Sequence, residues 1–99
     1  MKLWIDDTRP APDGYFRCTN VNGAKDVITT AEKRGETIEL IDIDHDAGSY
    51  VPLGGDYIRL LDWLEETGRN YPIRIHSANP VGVQNMRRII QRNGWKEVK

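Results

Sequence analysis

The chain has 99 residues, with 14 Lys+Arg against 15 Asp+Glu, a formal net charge of −1 and one cysteine, Cys18. Such a length predicts a single domain, 1–99, and the charge balance gives no electrostatic footprint for nucleic acid or an anionic membrane, so no sequence-specific nucleic-acid partner is expected. A lone cysteine excludes an internal disulfide and fits a reducing, cytoplasmic setting. No apolar run approaches the roughly 20 residues that span a bilayer, and the sequence opens directly on a strand without a signal-peptide pattern.

Lys2 to Ile5 reads as a short strand, followed by a loop in which Pro10, Pro12 and Gly14 forbid a regular helix. Tyr15 to Thr19 has the aromatic and polar mix of a modest edge strand. Val21, Ala24, Val27, Ile28 and Ala31 then recur at helical spacing, with Asn20 or Asn22 as cap and Gly35 as terminator. Ile38 to Ile43 is the central strand, and Asp44 to Gly55 is a glycine-rich loop long enough to fold over a site. A second helix is predicted from about Asp56 to Thr67, with Tyr57, Ile58, Leu61 and Leu64 as its buried stripe and Gly68 as its end. Ile73 to His76 is another strand. Asn79-Pro80 starts a third helix, in which Val83, Met86, Ile89 and Ile90 face the core and Asn93-Gly94 closes it. Trp95 to Val98 is predicted as a last short strand. The order β-β-α-β-α-β-α-β implies a mostly parallel sheet covered by helices as a three-layer domain, and only the first connection lacks a helix.

Three of these strands end in titratable residues: Asp6-Asp7 after the first, Asp44-His45-Asp46 after the third, and His76-Ser77 after the fourth. Open α/β sheets carry their sites at the carboxyl ends of the strands, so one composite site is expected there. His45 and His76 are the only histidines. Their ordinary pKa near 6.5 lets one accept a proton while the other donates one at neutral pH. Asp44 or Asp46 can orient an imidazole. Arg9, Ser77 and the helix start at Asn79 can bind a phosphate.

These motifs resemble a family. The acidic pair after the first strand and Asp44 after the third look like a response-regulator receiver domain, a flavodoxin-like fold with strand order 2-1-3-4-5. A closer resemblance is to the divergent cyclic-phosphate-processing receiver-like domains, and it rests on four stretches: Leu3-Trp4-Ile5-Asp6-Asp7-Thr8-Arg9-Pro10, Asp44-His45-Asp46-x-Gly48, Gly54-Gly55-Asp56 and His76-Ser77-Ala78-Asn79-Pro80. The resemblance implies a five-stranded α/β domain with the first helix missing and about three helices. An ordinary receiver also has a helix after its last strand and a lysine after its fifth; the helix is missing here too, and only Lys99 stands near the lysine's place.

The expected activity is hydrolysis of a cyclic phosphate of a nucleotide or nucleotide-derived sugar. His45 and His76 would share acid and base roles, Asp44 or Asp46 would orient them, and Arg9, Ser77 and the helix start at Asn79 would bind the phosphate. Four carboxylates would repel that phosphate unless offset, so Asp6, Asp7 and Asp44 are candidate ligands for Mg²⁺ or Mn²⁺; no cofactor is otherwise indicated. The partner is a small-molecule cyclic phosphate or nucleotide, with no membrane. Two other readings stay open: a non-catalytic cyclic-nucleotide sensor signalling through the 44–55 loop, and a metal-dependent phosphoacceptor receiver using Asp44. Trp4, Trp63 and Trp95 are expected in or at the core, Cys18 is expected to be inert, and Arg87, Arg88 and Arg92 are expected on a solvated helix face.

Overall fold

A computed structural model describes residues 1–99. Four strands, β1 (Lys2–Ile5), β2 (Tyr15–Cys18), β3 (Leu40–Ile43) and β4 (Ile73–Ile75), alternate with three helices, α1 (Val21–Lys33), α2 (Ile58–Glu66) and α3 (Pro80–Asn93). The sheet is wholly parallel with order β2-β1-β3-β4. This is the flavodoxin-like arrangement expected of a receiver, and no helix is long and apolar enough to cross a membrane.

The fifth strand is reduced to a single bridge. Ile73 donates its amide to Lys96 and accepts from Val98, so Glu97 alone pairs with β4. Three residues of β4 give the segment little edge to follow, and Trp95 is drawn into the core instead. Caps elsewhere fall as the side chains dictate: Asn20 accepts from the Gly23 amide and Asn79 from that of Gly82. α2 starts at Ile58 rather than Asp56, because the Asp56 carboxylate holds the Ala47 amide and the Tyr57 amide donates to the His45 carbonyl. The loop before it contains a 3₁₀ turn, Gly48–Leu53.

All three helices pack on one face of the sheet, so the domain has two layers where three were expected. The reason lies in the handedness of parallel crossovers. The step from β1 to β2 runs one way along the sheet and must cross on one face; the later steps run the other way and cross on the opposite face. Only the first step lacks a helix, and its loop covers that face alone. Leu3, Ile5, Ile41, Ile43 and Ile73 form one buried core with the inner stripes of the helices, among them Ile28, Leu61 and Met86. The other face carries, in register across the strands, Arg17, Trp4, Asp42 and Arg74.

Leu40 and Ile41 are adjacent on β3 but belong to different faces. Ile41→Ala is expected to cost about 2–5 kcal/mol, as for a fully buried aliphatic side chain, and Leu40→Ala well under half as much. Urea unfolding of the two variants measures this; equal losses would mean that both faces are packed.

Candidate functional site

The carboxyl ends of β1, β3 and β4 bring Asp6, Asp44 and His76 into one row, because the ladder continues one residue past each strand. Asp6 donates its amide to the Cys18 carbonyl, Asp44 to Ile5 and His76 to Ile43.

His76 is the centre of this row. Its Nδ1 lies 2.6 Å from Asp42 Oδ1 and its Nε2 2.8 Å from Asp6 Oδ2, and both carboxylates are fully buried. Carboxylates only accept, so an imidazole held this way at both nitrogens donates twice and carries a charge. Burial opposes that charge, but the hydrogen bonds and charges of Asp42 and Asp6 outweigh it and raise the His76 pKa. Its ring stacks on Trp4 with centroids 3.8 Å apart and planes 3° from parallel. Asp6 also accepts from the amides of Thr8 and Arg9. Burial pushes its carboxyl up, and the Arg9 and Thr8 amides with His76 more than reverse this, so it stays below its usual range. The second Asp42 oxygen makes no hydrogen bond and lies 3.6 Å from Arg74 Nη1.

His45 is held differently. Its Nδ1 is 2.8 Å from Asp46 Oδ1, and only that nitrogen has a partner. Asn79 Nδ2 approaches the same Asp46 oxygen at 3.4 Å. The ring lies against the first turn of α3, where a Cβ added at Gly82 would stand 2.5 Å from its Cγ and Cδ2. Asp44 turns its Oδ1 onto the His45 amide at 2.7 Å. Asp46 thus orients the His45 ring, while Asp42 and Asp6 orient that of His76.

The carboxylates of Asp6, Asp7 and Asp44 offer oxygens within 4.8 Å of one another. This all-oxygen set suits a hard cation such as Mg²⁺ or Mn²⁺. Asp7 reaches it only because residue 48 is glycine: a Cβ there would come within 2.4 Å of Asp7 Oδ2. Beneath the cluster lies Tyr57, whose hydroxyl donates to the Thr19 carbonyl at 2.7 Å. Burial, then the charges of Asp7, Asp6 and Asp44, push this phenol far up, so it stays neutral.

The expected phosphate binders are less free than the sequence implied. Arg9 is exposed and donates to the His76 carbonyl at 3.2 Å, leaving other guanidinium donors available. Ser77 Oγ accepts from the Asn79 amide at 3.1 Å, and its own hydrogen is free to be donated. Asn79 is occupied as the helix cap and as a brace for Asp46. Pro80 has no N–H and the amides of Gly82 and Val83 bond back to Asn79, so Val81 supplies the one open amide of the first turn. Lys99 is bound to Glu97 at 3.0 Å.

Asp42, Trp4 and Gly82 were not assigned roles from the sequence. A single carboxylate inside the apolar run Leu40-Ile41-Asp42-Ile43 was the available signal for the first, since alternation puts it on the face away from Ile41 and Ile43. Of the remaining expectations, Cys18 is buried and its thiol is pushed up to about 11 by that burial. Arg87 and Arg92 are not merely solvated: they pair with Glu97 and Glu65.

Sheet order, the acid cluster at its carboxyl end and the missing flanking helices define a divergent receiver-like domain. The chain belongs to the cyclic-phosphate processing receiver domain family, whose sequence model matches residues 1–92. No curated protein and no solved structure gives a match.

Two predictions follow from the geometry. His76 binds its proton more tightly in the folded than in the unfolded chain, so its stabilisation is full below the unfolded pKa near 6.5 and is lost as pH rises through the folded value. Urea unfolding should show stability falling over that rise, and His76→Gln should flatten the curve and lower it at pH 6; an unchanged profile would contradict a charged His76. Gly82→Ala should destabilise, although alanine in a helix normally gains up to about 1 kcal/mol over glycine, because the methyl meets the His45 ring; thermal melts of the variant decide the sign.

Proposed function

We propose that the domain is a small phosphoesterase that opens a cyclic phosphate of a nucleotide or nucleotide-derived sugar. The observation that carries this reading is the His45–Asp46 dyad, whose ring lies against the start of α3 with no hydrogen-bond partner at Nε2. Asp46 accepts from Nδ1–H, so Nε2 is the basic nitrogen and can take a proton from water. Water adds to phosphorus as His45 Nε2 takes its proton, one ring P–O bond breaks, and the released sugar oxygen takes that proton back from His45, leaving a monoester. Arg9, the Ser77 hydroxyl and the Val81 amide are available to the phosphate oxygens.

The histidines divide their work unequally in this reading. His76 has no nitrogen to offer without leaving a buried carboxylate, so it acts as a fixed cation that positions Asp6. A divalent cation held by Asp6, Asp7 and Asp44 would offset their charge and stabilise the departing oxygen. The domain name of the family supports cyclic-phosphate processing as the setting.

The test is turnover of 2′,3′-cyclic nucleotides and an ADP-ribose cyclic phosphate, in EDTA and in Mg²⁺ or Mn²⁺. His45→Ala should lower kcat by about 10²–10⁴ with an unchanged melting temperature. His76→Ala should lose stability as well, by about 3–5 kcal/mol, as when one partner of a buried ion pair is removed. Full activity of His45→Ala would sink the proposal. A bell-shaped kcat/KM profile that loses a limb in His76→Gln would return His76 to a share of the proton transfer. Binding without turnover would select a sensor, and acyl-phosphate on Asp44 a receiver.

A further inference from the structure

Beside the start of α3 the surface is hollowed into a cleft of about 440 Å³, within the roughly 300–1,000 Å³ usual for small-molecule sites. Ser77 and Val81 form its border with the phosphate end of the site. Pro80, Val81 and Val83 give it an apolar wall, and Gln84 and Arg87 bring polar groups. A smaller cleft of about 240 Å³ lies among Met1, Phe16 and Arg34. That one sits at the amino ends of β1 and β2, so only the larger cleft adjoins the carboxyl-end row.

Helical geometry sets the cleft against His45. Residues advance about 100° each around the axis, which puts Pro80, Val83, Gln84 and Arg87 about 100–200° away from Gly82. Gly82 is where the His45 ring meets the helix. Ring and cleft therefore flank the same helix start from opposite sides. A phosphate on the Ser77 hydroxyl and the Val81 amide would stand between them, with the rest of its molecule over the cleft.

The lining selects what that rest is. Arg87 is the one cation of the cleft, and Glu97 holds it through Nε at 2.9 Å and Nη2 at 2.7 Å. Its charge is already met, so a second phosphate group gains little there. The same bonds fix the guanidinium plane, on which a nucleobase can stack. Gln84 is exposed and carries a donor and an acceptor side by side, the pair that meets the edge of a base. Resting on the phosphoesterase reading, we infer that this cleft is a nucleoside subsite, which takes the ribose and base of a nucleoside 2′,3′-cyclic phosphate. The base lies on Arg87 with its edge toward Gln84, and both residues set affinity without touching the reacting atoms.

The experiment compares adenosine 2′,3′-cyclic phosphate with methyl riboside 2,3-cyclic phosphate, the same sugar and ring phosphate without a base. The adenosine compound should have a roughly tenfold lower KM, in line with one base stacked in place. Gln84→Ala should raise that KM several-fold at unchanged kcat. Arg87→Lys, which keeps the charge beside Glu97 but removes the plane, should do the same. Neither variant should alter the constants for the base-free compound, a split that a merely structural role would not produce. Equal KM values for the two compounds, or variants that shift both alike, would overturn the subsite and leave the esterase standing. If neither compound turns over, the esterase reading fails, and calorimetric titration with adenosine 3′-monophosphate and with ribose 3-phosphate tests the cleft alone. Tighter binding of the nucleotide, weakened by Arg87→Lys, supports the subsite; equal or undetectable binding overturns it.

Discussion

The Asp42–His76–Asp6 sandwich is the interaction on which the carboxyl edge of this sheet depends. Two carboxylates without solvent contact, one from inside β3 and one from the end of β1, are held together across the sheet by one imidazolium from the end of β4. Removing the histidine would leave two buried carboxylates without their shared counter-charge, and removing either acid would leave one imidazole N–H without its acceptor. The flat contact with Trp4 fixes the ring plane, and the Trp4 indole in turn ties down the loop that replaces a helix. The same cluster therefore holds the sheet edge, the first loop and the acidic floor of the site.

Around that fixed centre the second histidine keeps one nitrogen free. His45 follows β3 directly, and its ring is caught between Asp46 and the glycine-faced start of α3. Helix, loop and strand thus each contribute one constraint to an imidazole whose basic nitrogen is unengaged. The contrast between a histidine committed at both nitrogens and one committed at a single nitrogen separates structural charge from proton chemistry within one small site.

Most of the fold could be read from the residues, because its signals are local. Apolar runs ending in aspartate or histidine marked three strands, asparagine caps marked two helix starts, and the missing helix after β1 followed from two prolines and a glycine. The count of layers was not legible: one absent crossover helix looks minor in the element order, yet handedness makes it the sole cover of an entire face. The fifth strand also failed to form, since its pairing depends on the length of β4 rather than on its own sequence. In the site, residue types were legible and pairings were not. Asp46 before a helix cap and Asp42 within a strand differ in burial, and only the sheet register decides which histidine each one meets.

The stub that replaces the fifth strand has a consequence for how the molecule behaves among copies of itself. Unpaired strand edges invite intermolecular pairing, and short, charge-flanked edges discourage it. β4 is three residues long, its first residue is already paired with the 96–98 segment, and Arg74 sits in its middle. Beside it Arg87, Glu97 and Lys99 form a charged clasp. A neighbouring chain would find almost no backbone to pair with and several charges to desolvate, so a sheet left open on one side is shielded from growing into an aggregate along this edge.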